Sequence, residues 1–392
     1  MSHISLAELG ARLRTPAYVF DSSRFAERAA AVRDAFGPKT GICFSIKANP
    51  FLLCCLPDAF DKIEVCSPGE LTICEKTGAD MSSVIFSGVN KTFKDVERAM
   101  DDGVGVFTAE SWLHVQLINE SALKRDLCVP VLVRLTAGSQ FGMDEADVLD
   151  LIARRDEYKG IRIVGLHFFS GTQKRKPALI EKELDHVMAF VERVASEYQF
   201  RLERLEYGTG LAVDYFDANA NSLEMARLEA VSAKIREVAE KIELTVEMGR
   251  FFAAPCGHYF TRVMDVKTNQ GVNYAIVDGG LNQLKYDGQI QGMQIPQIVH
   301  LKATEDTSDA LPWTLCGSLC TTADVLARNV PFSNLQIGDL LVFERTGAYS
   351  VMEGMAVFLS REMPEIHLLS EEKGLMLLRG MIDTDQFNTP MA

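Results

Sequence analysis

The chain lacks any apolar run approaching the roughly 20 residues that span a bilayer, so no membrane-crossing helix is expected. It also lacks a basic start leading into an apolar stretch. Met1-Ser2-His3-Ile4-Ser5-Leu6-Ala7-Glu8 does not read as a secretory signal, which makes the cytoplasm the expected location. Positive charge is in deficit, with 40 Lys and Arg against 54 Asp and Glu and a net charge of −14. That balance argues against an extended nucleic-acid surface, which needs clustered cations to displace counterions from phosphates. It does not argue against holding one small anion locally. The nine cysteines contain no CxxC or CxxH spacing, so neither a disulfide framework nor a zinc site is expected, and Cys54-Cys55 reads as a pair of buried thiols. The seven histidines are scattered and form no metal motif. There is no internal repeat, low-complexity tract or long linker.

What is present is a globular composition. Of 392 residues 47% are hydrophobic and 24% charged, a length that favours two domains or one large barrel with an appendage. Short β-branched apolar runs recur at Ile42 to Ile46, Ile63 to Val65, Val84 to Phe86, Val104 to Phe107, Val129 to Leu135, Ile163 to Phe168, Leu205 to Tyr207 and Leu244 to Met248. Helical spacing separates them at Pro68 to Thr77, Phe93 to Met100, Met143 to Arg155, Ala178 to Tyr198 and Asn221 to Lys241. In Ala178 to Tyr198 the residues Leu179, Leu184, Val187, Phe190, Val191 and Val194 are expected to share a face. Strands alternating with helices in this way suggest a (β/α)8 TIM barrel, with an open doubly wound sheet as the competing arrangement. Beyond residue 250 the texture is β-rich, with strand-like runs at Tyr259 to Val266, Val272 to Val277, Trp313 to Cys316 and Leu340 to Phe343. The expected organisation is an N-terminal strand within 1–20 packing with the C-terminal domain, a barrel over 21–250, and a β-rich domain over 251–392.

The most informative segment for chemistry is Ser45-Ile46-Lys47-Ala48-Asn49-Pro50, where a lysine follows the first barrel strand. The carboxyl ends of barrel strands carry active sites. A lysine desolvated there by Phe44 and Ile46 can act as an amine nucleophile toward an aldehyde. His167 closes the sixth strand, Gly208-Thr209-Gly210 follows the seventh, and Glu247-Met248-Gly249-Arg250 ends the eighth. The loops after strands seven and eight commonly take a phosphate, and Arg250 can add a bidentate fork.

In this order the motifs resemble the fold-type III pyridoxal-phosphate decarboxylases, the group containing diaminopimelate and ornithine decarboxylases. The resemblance runs over almost the whole chain. It rests on Ser45-Ile-Lys47-Ala-Asn49, Glu64-Val-Cys-Ser67-Pro-Gly69-Glu70-Leu71, Gly165-Leu-His167-Phe-Phe-Ser170-Gly-Thr-Gln173 and Gly208-Thr-Gly210. It continues through Glu247-Met-Gly249-Arg250, Val277-Asp278-Gly-Gly280, Cys316-Gly317-Ser-Leu-Cys320-Thr321-Thr-Ala-Asp324 and Gly347-Ala348-Tyr349. The resemblance implies that Lys47 carries pyridoxal 5'-phosphate as a Schiff base, that His167 stacks on its ring, and that Glu247 contacts the pyridine nitrogen. It further implies that Ser170, Gly208, Gly210, Arg250 and Tyr349 hold the phosphate, with Glu64 and Gly249 also in the cofactor site. Cys320 matches the family's mobile cysteine, which returns a proton to the α-carbon and comes from the other subunit of a homodimer with shared sites.

Two departures bear on the substrate, for which Asp278, Tyr286, Thr321 and Asp324 are the candidate contacts. In the resembled enzymes an acidic residue follows the mobile cysteine and helps hold a distal ammonium; here that position is Thr321. Where diaminopimelate decarboxylases carry a carboxylate-binding arginine, this chain has Tyr286. Loss of a charge-assisted partner for a buried ammonium is of order 2–5 kcal/mol. The expected substrate therefore has no free distal ammonium and carboxylate, as in an amino acid linked to a carrier protein, a glutamyl thioester for example. Diaminopimelate decarboxylation proper is the alternative, followed by an amino-acid racemase or a non-catalytic cofactor-binding protein of the same broad fold.

Overall fold

A computed structural model describes residues 4–302 and 309–391. The chain divides into two compact units, one made of residues up to Phe25 with Asp214–Ala220 and everything from Ala253, the other of Ala26–Val213 and Asn221–Phe252.

The second of these units is a barrel. After β1 (Ala17–Asp21), which belongs to the other unit, come β2 (Gly41–Ser45), β3 (Lys62–Val65), β4 (Val84–Phe86), β5 (Val106–Ala109), β6 (Val129–Arg134), β7 (Ile161–Phe168), β8 (Arg204–Gly208) and β9 (Glu243–Met248). All eight pair in parallel and in sequence order, and β9 returns to β2 with Gly41 opposite Thr245 and Phe44 opposite Met248. That last pairing excludes the doubly wound alternative, because an open sheet leaves its first and last strands unpaired. Cys43, Ile85, Val106, Leu132 and Val164, from five different strands, meet in one buried apolar cluster inside the barrel.

The helices begin where sequence chemistry starts them. Ser67 accepts the Glu70 N–H ahead of Pro68–Thr77, and Thr92 and Asp95 form a reciprocal capping box at Phe93–Asp101. Gly78, in the left-handed region at φ +73°, ends the first of these. Three local expectations need correction. In Pro177–Tyr198 the buried face runs through Ile180 and Leu184, leaving Leu179 48% exposed. The helix Trp112–Leu123 went unrecognised because apolar residues surround it: Val115 and Ile118 are buried while Leu113 and Leu123 are exposed. None of the nine cysteines forms a disulfide, but Cys54 is exposed and Cys55 only half-buried, since both lie on the short 3-10 turn Pro50–Cys55 rather than in a strand.

The other unit is a nine-stranded sheet built from β1, β10 (Gly257–Asn269), β11 (Val272–Val277), β12 (Ile298–Leu301), β13 (Ala310–Cys316), β14 (Val325–Ser333), β15 (Leu340–Glu344), β16 (Glu365–Ser370) and β17 (Gly374–Arg379). The N-terminal strand is central to it. β1 pairs antiparallel with β10 and parallel with β16, and Ala17 to Phe20 are fully buried. Its core gathers Leu9, Leu13, Ala17, Val19, Phe260 and Val342. Among the described residues no helix is long and apolar enough to cross a membrane.

Candidate active site

At the carboxyl end of β2 the chain turns through Ile46–Ala48, and the side chains alternate. Phe44 and Ile46 are fully buried, the Phe44 ring lying 5.4 Å from Phe60 and 6.4 Å from Phe252. Ser45 and Lys47 face the opposite way, toward carboxylates on the two neighbouring strands. Lys47 Nζ lies 2.7 Å from Glu64 Oε2 on β3 and 3.6 Å from Glu247 Oε1 on β9, and Ser45 Oγ donates to Glu247 Oε1 at 2.9 Å. The expectation that Phe44 and Ile46 desolvate the amine is thus corrected: the Lys47 side chain is 36% exposed and paired with charge, while the two apolar neighbours pack away from it.

His167, on β7 and 2% exposed, brings Nε2 to 3.1 Å from Glu247 Oε2. Its Nδ1 is buried and has no partner among the described residues. Burial pushes the Glu247 carboxyl up, but the Lys47 charge and the His167 hydrogen bond outweigh it and hold the group well below the usual carboxylate range. Two members of this cluster were not anticipated. Cys66 Sγ sits 3.5 Å from Lys47 Nζ and 3.2 Å from Glu64 Oε1. Glu206, opposite His167 in the barrel register, is 1% exposed, and neither of its oxygens has a partner among the described residues. Burial, then the charges of Glu247 and Glu64, push its carboxyl far up.

Around the rim, the glycines are explained by close approach. A Cβ on Gly249 would lie 2.7 Å from Ala48 Cβ and 2.9 Å from the Ser45 carbonyl, so only glycine lets the loop after β9 abut the lysine turn. Gly210 has φ +59°, and a Cβ there would meet the Gly171 carbonyl oxygen at 2.0 Å. Lys174 N–H donates to Gly210 O at 2.8 Å, tying the Gly208-Thr209-Gly210 loop to the segment after β7. Arg250 opens the short helix Arg250–Ala253. Ser170 donates its hydroxyl to Glu183 Oε1 at 2.6 Å, and Glu183 Oε2 also accepts from Lys174 Nζ and the Tyr207 hydroxyl. In this arrangement the Ser170 hydroxyl proton is directed to a carboxylate.

A second polar group at the ends of β4 to β6 also escaped the sequence. Arg134 bonds Glu110 at 3.3 Å, Lys91 donates to the Gly88 carbonyl, and His114 accepts the Glu110 N–H. Burial outweighs the charge of Glu110 and brings Lys91 down to about 8; burial and the Lys91 charge bring His114 down to about 4. The available signal was charge inside apolar runs, as with Arg134 in Val129 to Leu135.

In the β-rich unit, Cys320 is exposed in the loop after β13. Thr321 follows it, with its hydroxyl accepting the Ala323 N–H at 3.3 Å. Tyr349 is half-buried with φ +65°. The expected substrate contacts turn out otherwise. Tyr286 is 4% exposed, packs its ring against Tyr215 and Phe216, and donates its hydroxyl to the Glu344 carbonyl at 2.6 Å. Asp278 accepts from the Thr15 and Thr261 hydroxyls and the Arg262 N–H, and Asp324 accepts the Leu281 and Leu319 N–H groups. Each of these three satisfies its own polar atoms within the unit.

The barrel residues fit a phosphorylated, aldehyde-bearing pyridine. They offer an amine at the rim, a buried carboxylate kept ionised, and a glycine cradle in which a side chain would collide with backbone.

Residues 22–254 match the family described as pyridoxal-dependent decarboxylase, pyridoxal binding domain. Among curated proteins, the chain is 25% identical to L-glutamyl-[BtrI acyl-carrier protein] decarboxylase of Niallia circulans, over 97% of this chain and 94% of that protein. It is 29% identical to diaminopimelate decarboxylase of Pseudomonas aeruginosa over 88% of this chain and 86% of that one. The crystal structure of diaminopimelate decarboxylase from Helicobacter pylori complexed with L-lysine superposes with a TM-score of 0.85 at 22% identity, covering 97% of this chain and 98% of that chain.

Proposed function

The chain belongs to the pyridoxal-dependent decarboxylase family and is a pyridoxal-phosphate-dependent amino-acid decarboxylase, and from that premise we propose that its substrate is an amino acid whose far end carries no free cation, such as a carrier-linked glutamyl thioester. Bound pyridoxal phosphate supplies an electron-withdrawing ring that takes up the electron pair of the α-carbon as carbon dioxide leaves. Lys47 would hold the cofactor through its amine and release it to the amine of the substrate. Glu64, 2.7 Å from Lys47 Nζ, orients that amine and keeps a proton-accepting oxygen beside it. Glu247, held ionised by Lys47 and His167, would accept a hydrogen bond from a protonated ring nitrogen, and His167, which braces Glu247, would pack against the ring. Gly208, Gly210, Gly249, Arg250, Ser170 and Tyr349 would hold the phosphate, which would require the Ser170 hydroxyl to leave Glu183. Cys320 of the partner subunit of a homodimer returns the proton to the α-carbon, a role suited to a thiol, which can pass a proton to a carbanion.

The observation that carries the reading is the Lys47 amine set between Glu64 and Glu247 at the carboxyl rim of the barrel. The substrate assignment rests on Thr321, which offers a distal ammonium a neutral hydroxyl where the resembled enzymes carry an acid. Similarity to the carrier-protein enzyme over 97% of the chain supports it. Diaminopimelate decarboxylation is the second reading, favoured by 29% identity to that enzyme of Pseudomonas aeruginosa. Carbon dioxide release from free diaminopimelate, lysine, ornithine, arginine and carrier-linked glutamate separates the two: the proposal requires the thioester to be turned over fastest, and rapid turnover of free diaminopimelate overturns it. Racemisation without gas release would overturn both. For the shared site, Lys47→Ala and Cys320→Ala, each inactive alone, should on mixing recover about a quarter of wild-type activity through heterodimers carrying one intact site, the random-assortment value for a two-fold dimer.

A further inference from the structure

The loop that carries Cys320 is organised by one buried carboxylate. Asp324 is 2% exposed, its Oδ2 accepts the Leu319 N–H at 2.8 Å, and its Oδ1 accepts the Leu281 N–H at 2.8 Å. Leu319 immediately precedes the thiol, and Leu281 follows Asp278-Gly279-Gly280. The backbone joins the same two loops, with Ser318 N–H on Gly279 O at 2.7 Å and Gly317 N–H on Asp324 O at 3.0 Å. Two glycines clear the path. A Cβ on Gly280 would sit 2.6 Å from Asp324 Oδ2, and one on Gly317 only 2.2 Å from it. Two sequence motifs far apart in the chain, Asp278-Gly-Gly280 and Cys316-Gly317-Ser-Leu-Cys320-Thr-Thr-Ala-Asp324, thus have a common physical cause. Both leave room for one carboxylate to reach two backbone N–H groups. From Leu319 to Asp324 the loop closes on itself, with Thr321 N–H on Leu319 O and Asp324 N–H on Thr321 O, so fixing its two ends leaves Cys320 little freedom.

We propose that Asp324 is the positioning residue for Cys320, holding Leu319 and Leu281 together so that the thiol delivers its proton to a single face of the α-carbon. The proposal rests on Cys320 being the proton donor. The electron pair left by departing carbon dioxide forms the new C–H bond with the thiol proton, and the thiolate is reprotonated from solvent, so the product gains one solvent-derived hydrogen.

The test uses Asp324→Asn, which keeps the volume but turns an NH2 toward one of the two N–H donors, and Gly317→Ala, which displaces the carboxylate without removing its charge. In the full chain, with and without cofactor, the Leu319 and Leu281 amides should exchange with deuterium roughly tenfold faster in both variants, as loss of a charge-assisted hydrogen bond implies. Iodoacetamide should label Cys320 several-fold faster, with the exposed thiols of Cys54 and Cys128 unchanged as internal references. Turnover of the glutamyl thioester, or of whichever panel member reacts faster, is then run in D2O. Wild type should give amine deuterated in one configuration, and both variants a mixture, with KM unchanged; a merely structural role would lower the amount of active enzyme without altering the configuration. Unchanged exchange, labelling and configuration in Asp324→Asn overturn the proposal. If Cys320→Ala itself yields a single configuration at an unaltered rate, it is instead the thiol's role in the proposed function that fails.

Discussion

Glu206→Gln should stabilise the protein at neutral pH and have little effect in acid. Glu206 is 1% exposed, has no partner on either oxygen among the described residues, and its carboxyl is pushed far up by burial and by the charges of Glu247 and Glu64. The folded state keeps the proton while the unfolded chain releases it above its ordinary value of about 4.3. A raised folded pKa means that the stability is fully present below the unfolded value and is lost as pH rises toward the folded one. The slope is at most about 1.4 kcal/mol per pH unit, so between the unfolded and folded values wild type loses stability with rising pH that the glutamine variant keeps. Glutamine matches the protonated acid in size and in its unpaired polar atoms, so the two should coincide near pH 4. The assay is thermal or denaturant unfolding of both proteins from pH 4 to pH 8. The gap in melting temperature should be near zero at pH 4 and widen as pH rises. Two curves that stay parallel across the range would show that Glu206 is ionised and compensated in the folded state, and would refute the reasoning.

Glu247→Gln removes the charge beside Lys47 but keeps an oxygen for Ser45 and His167; loss of about 2–3 kcal/mol of charge-assisted bonding should lower kcat roughly 30- to 200-fold, read by carbon dioxide release. Gly249→Ala drives a Cβ toward the Ser45 carbonyl and Ala48, and should cost about 1–3 kcal/mol of stability by overpacking and weaken cofactor retention, measured by melting and equilibrium dialysis. Tyr286→Phe should cost about 1 kcal/mol through the lost bond to the Glu344 carbonyl while leaving the order of substrate preference unchanged. A reordered panel would return Tyr286 to the substrate site.

The barrel was legible because its strands, buried on both faces, are continuous apolar runs with helices between them, whereas its closure depends on β9 meeting β2, which no local pattern encodes. That Lys47, His167 and Glu247 come together was legible because each marks a strand end in chain order, while Glu64 entered only through the resemblance. Cys66 and Glu206 were not, since nothing in a sequence tells a carboxyl in a strand whether a partner faces it. The partners of Asp278, Asp324 and Tyr286 were hidden for a related reason. Polar residues beside glycines look available to a ligand, but here their atoms are satisfied by Thr15, Thr261, Leu281, Leu319 and the Glu344 carbonyl, partners up to 263 positions away.

Lys47 as the proposed cofactor lysine has a competitor in Lys91, which is 4% exposed and brought down to about 8. Borohydride reduction of the loaded protein, followed by peptide mass analysis, tests the assignment directly. The expected result is a pyridoxyl mass increment on the peptide containing Lys47 and on no other, with Lys47→Ala colourless and inactive. An increment on Lys91, or a coloured and active Lys47→Ala protein, would contradict it.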